Sequence, residues 1–197
     1  MVNNMVELNT LIRSGIVLLA LLYHITASVP AMSNEEPNFT IIKKTDVYEV
    51  RHYEKRTVAE VTYGEKDSGF RILFGYISGA NKNIQEVQMT VPVTKSNNNG
   101  QMVMRFFLPS QYSRQNAPMP TDKRVQIIDL PEEYFAVISY SGFASDSNFI
   151  KHQEELRAAI KRDGFIAIGP PLKATYNSPF TLPFLRRNEA MYPLKWE

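Results

Sequence analysis

Apolar and polar residues alternate along two stretches of this chain in nearly the same way. In the first, Tyr48, Val50 and Tyr53 lead into Thr57, Ala59, Val61 and Tyr63. In the second, 77 residues on, Val125, Ile127 and Leu130 lead into Tyr134, Ala136, Ile138 and Tyr140. Strand side chains point to alternate faces, so each run lays its set on one side of a sheet. Each stretch therefore predicts two strands. Because the parity survives the shift, the two read as copies of one unit.

After each pair the period lengthens to that of a helix. Phe70, Leu73, Phe74 and Ile77 stand at i, i+3, i+4 and i+7, with Gly79 as a stop. Phe149, Leu156 and Ile160 mark a second helix, started by Ser145 or Asp146 and ended by Gly164. Two strand-like runs follow each helix. They are "VQMTVPVT" and "QMVMRFFLP", then "PLKATYNS" and, past a proline-broken loop, "RRNEAMYPL". Pro92 argues for an edge or a bulge. The segment "SQYSRQNAPMPTD" joins the halves as loop. The pattern predicts an α+β domain: a duplicated ββαββ unit, over about 45–109 and 123–194, with antiparallel sheets curled together and two helices outside.

The N-terminus stands apart. Arg13 precedes an apolar run from Ile16 to Tyr23, and "HITASVPAMS" follows. A basic flank, a short apolar core and a small-residue exit describe a secretory signal peptide over 1–28. Residues 29–44 then read as a flexible segment and 45–197 as a single domain. The run is too short to span a bilayer, so no stable membrane span is expected after cleavage. Asn38-Phe39-Thr40 is a glycosylation sequon, usable only in the secretory pathway. The expected location is extracellular, or cytoplasmic if the leader does not function.

Composition narrows the chemistry. With no cysteine, disulfides, Cys-ligated zinc, Fe–S clusters and thiol nucleophiles are excluded. A net charge of +2 and no long Lys/Arg block argue against nucleic acid. His24 belongs to the leader, and His52 and His152 alone cannot build a three-histidine metal site. There is no H-E-x-x-H, no G-x-S-x-G elbow and no phosphate-binding glycine loop. The acidic pairs Glu35-Glu36, Glu132-Glu133 and Glu154-Glu155 are adjacent, so their members face apart. No enzymatic activity is expected.

"YEVRHYE", "MTVPV", "FFLP", "YNSP" and "RRNEAMYPL" stand in the order and spacing of the SOUL, or haem-binding protein, family. The chain resembles it from about Thr45 to Leu194. The resemblance implies a distorted antiparallel β-barrel flanked by two helices. It also implies haem or another tetrapyrrole in an apolar groove beside the first helix, carried or buffered without catalysis. His52 matches a histidine proposed as the iron ligand in one branch of the family, and a neutral imidazole suits haem iron. Its counterpart in the second copy is Asp129, so the repeated unit does not need imidazole for packing. The bland alternative is a partly exposed, hydrogen-bonded histidine at a strand end.

The first helix is apolar on two faces, one with Phe70, Leu73, Phe74 and Ile77, the other with Ile72 and Tyr76. Either a flat ligand or the joining loop covers the second face. Phe70, Arg71, Phe74 and Tyr76 are thus the candidate haem contacts beside His52. The basic residues implicated in haem-binding relatives align with Asp67, Gly75 and Leu182, none of them basic. Arg71 is the nearby substitute for pairing with a propionate, and Lys82 a remoter one. "RRNE" reads as charges lacing strands together, and Met89, Met102 and Met104 read as core fillers. Two other functions stay open. One is an interaction module with this fold and little haem affinity, its protein partners unknown. The other is a binder of other amphipathic small molecules in the barrel cleft, since bacterial effector-binding domains resemble this fold.

Overall fold

The computed structural model describes residues 34–64, 66–98 and 100–196. The expected leader lies outside them. The elements run β1 (Phe39–Lys44), β2 (Glu49–Tyr53), β3 (Arg56–Tyr63), α1 (Gly69–Ile77), β4 (Val93–Asn98) and β5 (Gln101–Phe107). They continue as β6 (Val125–Leu130), β7 (Glu133–Tyr140), α2 (Asp146–Arg162), β8 (Leu172–Thr175) and β9 (Asn188–Leu194). The strands form one antiparallel half-barrel in the order β1-β2-β7-β9-β8-β4-β5-β3-β6. This is the expected α+β class with two helices.

Apart from β1, the strand order reads the same from either end when the halves are exchanged. The halves trade their first strands: β2 pairs with β7, and β6 pairs with β3. The halves meet at the centre, where β4 pairs with β8.

Alternation along each strand gives the sheet two unlike faces. On one face Ala59, Val61, Phe106 and Val125 meet Leu73, Tyr76 and Ile77 of α1. On the same face Ala136, Ile138, Tyr140 and Tyr192 meet Leu156, Ala159 and Ile160 of α2. Leu73 and Leu156 have no exposed surface, and each such burial contributes about 1.5–3 kcal/mol. Tyr53, Phe135, Val137, Ala174 and Met191 pack on the opposite, interior face.

Side-chain caps set the helix starts. Ser68 Oγ accepts from the Arg71 amide at 3.3 Å, and Ser145 Oγ accepts from the Asn148 amide at 3.2 Å. Gly69 has a steric reason: a Cβ there would lie 2.5 Å from the Tyr63 ring. Gly164, at φ +79°, takes the left-handed conformation that closes α2.

Two boundaries differ from the sequence reading. The segment expected to be flexible contains β1. Its Ile41 and Ile42 are 47% and 42% exposed, so burial does not mark it. It is held instead by its ladder to β2, with a bulge between Ile41 and Lys43. "VQMTVPVT" becomes strand only from Val93, just past the cis Val91-Pro92 bond.

The interior face also carries charge. Glu189 is fully buried and accepts from Arg51 Nη1 at 3.1 Å, Ser139 Oγ at 3.0 Å and Tyr176 Oη at 2.7 Å. Arg187 adds bonds of 3.0 and 2.9 Å. Removing the carboxylate takes the buried Arg51 from its buried partner and leaves it only the Glu49 carboxylate at the strand end. Glu189→Ala is therefore expected to cost about 3–5 kcal/mol in urea unfolding. Arg124→Ala, which breaks an exposed pair with Asp122, should cost no more than about 1 kcal/mol.

Candidate functional site

Between the helices the central strands lie partly uncovered. Val93 and Lys95 of β4, Met104 of β5, and Lys173 and Thr175 of β8 point to the helix face and floor a groove. The register explains the grouping, since Lys95 stands opposite both Met104 and Lys173. Phe70 and Phe74 of α1 form one wall; Ala144, the turn from Tyr176 to Pro179, and Arg186 form the other. Met89 and Val91 line the same wall region before β4. The groove encloses about 530 Å³, within the range of small-molecule sites.

The rotation of α1 makes its wall. Gly69 lets the helix sit close against Tyr63, which turns Leu73, Tyr76 and Ile77 into the core. Phe70 and Phe74, one turn apart, are left 44% and 49% exposed. Their rings stack at 5.8 Å, and Phe70 meets Phe106 edge-on at 5.3 Å.

Three cations border the groove in different states. Lys173 Nζ donates to the Ala144 carbonyl at 2.7 Å and to Asp146 Oδ1 at 2.8 Å. Arg186 donates to the carbonyls of Thr181 and Pro179 at 2.8 and 2.6 Å. Lys95 makes no hydrogen bond or ion pair among the described residues.

Of the residues singled out in sequence, Phe70 and Phe74 line this groove and the others do not. Tyr76 is 1% exposed and donates to the Pro118 carbonyl at 2.9 Å. Burial pushes its phenol up to about 12. Here the joining loop covers the helix, so Tyr76 is core and not a ligand contact. Arg71 is exposed and outside the lining; Asp67, Gly75, Lys82 and Leu182 lie outside the lining too. His52 lies on β2, its ring tilted by 32° against that of Tyr134 at 4.6 Å, with Nε2 at 3.4 Å from Glu132. It is partly exposed and lies outside the groove that Phe70 and Phe74 line. His152 stacks on Tyr140 at 4.1 Å, with Nδ1 at 2.8 Å from the Asn148 carbonyl. Asn38 is exposed just before β1. Among the described residues, no cluster of three or more His, Asp or Glu side chains is placed to hold a metal ion, and no helix is long and apolar enough to cross a membrane.

Sequence reasoning missed Lys95, Lys173 and Arg186. Lys95 carried a signal: it is in phase with Val91 and Val93. Lys173 and Arg186 are brought in by the β4–β8 pairing and by the turn after β8, which no local pattern encodes.

A profile of the SOUL heme-binding protein family matches residues 34–193. The chain belongs to the SOUL haem-binding protein family. Heme-binding protein 2 of Mus musculus is 30% identical over 162 residues, covering 74% of this chain and 76% of the relative. Heme-binding protein 1 of Xenopus tropicalis is 28% identical over 134 residues, covering 64% and 69%. Haem binding is thus supported at the level of the SOUL family. Among solved structures, the EcmrR C-terminal domain aligns with a TM-score of 0.58 at 11% identity, covering 75% of this chain and 98% of that one. A hydrolase from Listeria innocua aligns at 0.56 and 10%, covering 78% and 94%. Both share the fold of this SOUL domain.

The Asp146–Lys173 bond ties the start of α2 to the groove floor. The hydrogen bond from Lys173 holds the Asp146 carboxyl below its ordinary value of 3.8. A lowered folded value stabilises above the unfolded value and is lost as pH falls through the folded one. Wild-type stability should therefore drop below about pH 4. Asp146→Asn should be less stable at neutral pH, and the gap should close in acid when urea unfolding is repeated across pH.

Proposed function

We propose that the groove between α1 and α2 binds haem or a related tetrapyrrole, and that the chain is a non-enzymatic carrier. The observation that supports this best is the exposed, stacked Phe70–Phe74 pair over a floor where Val93 and Met104 lie beside Lys95, which has no hydrogen bond or ion pair among the described residues. Large exposed apolar surface rimmed by polar groups marks a binding site. A flat macrocycle would lie against the two rings and Val91 and Val93. Its propionates would meet Lys95 and Arg186, since cations suit carboxylates.

The donor set fits iron in one respect. The thioethers of Met89 and Met104 line the groove, and thioether sulfur is an accepted haem ligand. Bound haem supplies the iron's ligand-exchange and redox chemistry. The chain's own residues would bind, orient and shield it. The leader read at 1–28 would send such a carrier out of the cell, and exposed Asn38 is accessible for glycosylation.

Hemin titrated into the full chain, followed at the Soret band, tests the reading. A saturable shift is expected, weakened about tenfold or more by Phe74→Asp and unchanged by His52→Ala. A broad, non-saturating change, or equal titration of Phe74→Asp, would overturn the groove. Loss of the shift in His52→Ala alone would move the iron to the β2 end.

A further inference from the structure

The interior face holds a second feature, across the sheet from the helix-side groove. The Arg56 side chain is only 8% exposed, and its Nη2 donates to Glu133 Oε2 at 2.6 Å. Its Nε and Nη1 are buried with no hydrogen-bond partner among the described residues. Burial holds this guanidinium below its ordinary value. The aromatic rings of Tyr53, Phe135 and Phe107 surround it at 4.8, 5.9 and 6.0 Å. Buried donors are costly when unmet, so Arg56 is a cation waiting for an acceptor.

The space beside it has a definite chemistry. Arg56 lines a narrow cavity of about 30 Å³ walled by Leu130, Phe135, Leu172 and Met191. It also lines a wider, more polar cleft of about 480 Å³. Arg56, Phe107, Glu36 and Pro37 belong to both. The strap Asn34–Asn38 therefore forms part of the wall between them. Few bonds hold it. The Glu35 carbonyl accepts from the Val91 amide at 2.9 Å, and Glu35 Oε1 accepts from the Ser110 amide at 2.7 Å. Arg187 grips the Glu36 carboxylate with two bonds of 2.9 Å.

Charge balance points to the occupant. Arg51 pairs with Glu189, Arg56 with Glu133, Arg105 with Glu60 and Arg187 with Glu36. Of these four carboxylates, only that of Glu36 is carried by a segment outside the sheet. A carboxylate entering as Glu36 leaves would keep the charge of the interior unchanged, and Arg56 would supply donors that Glu36 does not use. The narrow cavity alone has room for one or two waters, so a slender tail would lie where the strap leaves and joins that cavity to the wider cleft.

We propose that the interior of the sheet is a second ligand site, for a carboxylate with a slender apolar tail, and that the Glu36 strap holds the place of the ligand's head group. [1-13C]Octanoate added to the full chain, read by carboxyl NMR and calorimetry, tests it. Saturable binding is expected, with octanol and octylamine weaker by about tenfold or more. Glu36→Gln should tighten octanoate about tenfold, because the strap no longer competes. Arg56→Gln should weaken it at least as much, and Lys95→Gln should leave it unchanged. Arg56→Gln leaves Glu133 unpaired and endangers folding, so Glu36→Gln is the deciding variant: a gain cannot come from unfolding. Absence of saturable binding in Glu36→Gln overturns the site, leaving a solvated charge network only. Equal binding of octylamine overturns the role of the carboxylate, and unchanged affinity in Glu36→Gln overturns the exchange. Loss in Lys95→Gln would move the ligand to the helix-side groove.

Discussion

The interior face is arranged around one buried carboxylate. Glu189 on β9 takes hydrogen bonds from Arg51 on β2, Ser139 on β7 and Tyr176 just after β8. Those partners belong to strands that reach it by separate routes through the chain. A slip of β9 by one residue would put Ala190 at the centre and turn the carboxylate toward α2. The cluster therefore acts as a register lock, the use of buried ionic groups with the best physical rationale. Tyr176 shows how closed it is. Burial and the adjacent carboxylate push its phenol far above the ordinary range, so it stays a donor at any physiological pH.

The same alternation that buries Glu189 lays out the helix-side groove. Thr94 faces the interior, while Val93 and Lys95 on either side of it face the helices. α1 covers β3, β5 and β6; α2 covers β7 and β9. The central pair, β4 and β8, falls between them. The groove is thus a consequence of two helices being too far apart to meet over a shared seam. The turn after β8 narrows this opening without filling it.

Much of this was legible in the sequence, and the exceptions have physical causes. Parity across 77 residues marked the paired strands, and Ser145 and Gly164 marked the ends of α2. β1 was not legible because its order comes from a neighbour and not from burial. Periodicity showed that α1 is apolar on two flanks, but not which flank the sheet takes. The contact of Gly69 with Tyr63 decides that, leaving Phe70 and Phe74 outside and Tyr76 inside. His52 drew attention because Asp129 stands at the matching place 77 residues on. The structure gives another reason for the difference. His52 is sandwiched in register between Thr40 of β1 and Tyr134 of β7, whereas Asp129 lies on the outermost strand, β6, which has no such cover.

The exchange of first strands between halves changes what counts as a folding unit. A chain cut within 110–122 would leave β3 without β6, and β7 without β2. Each piece would carry an orphan strand whose natural neighbour sits on the other piece, and an open edge of that kind recruits a partner. Two copies of one half could satisfy each other by trading that strand, as domain-swapped dimers do. In topological terms, the single chain has the strand order of a strand-swapped pair.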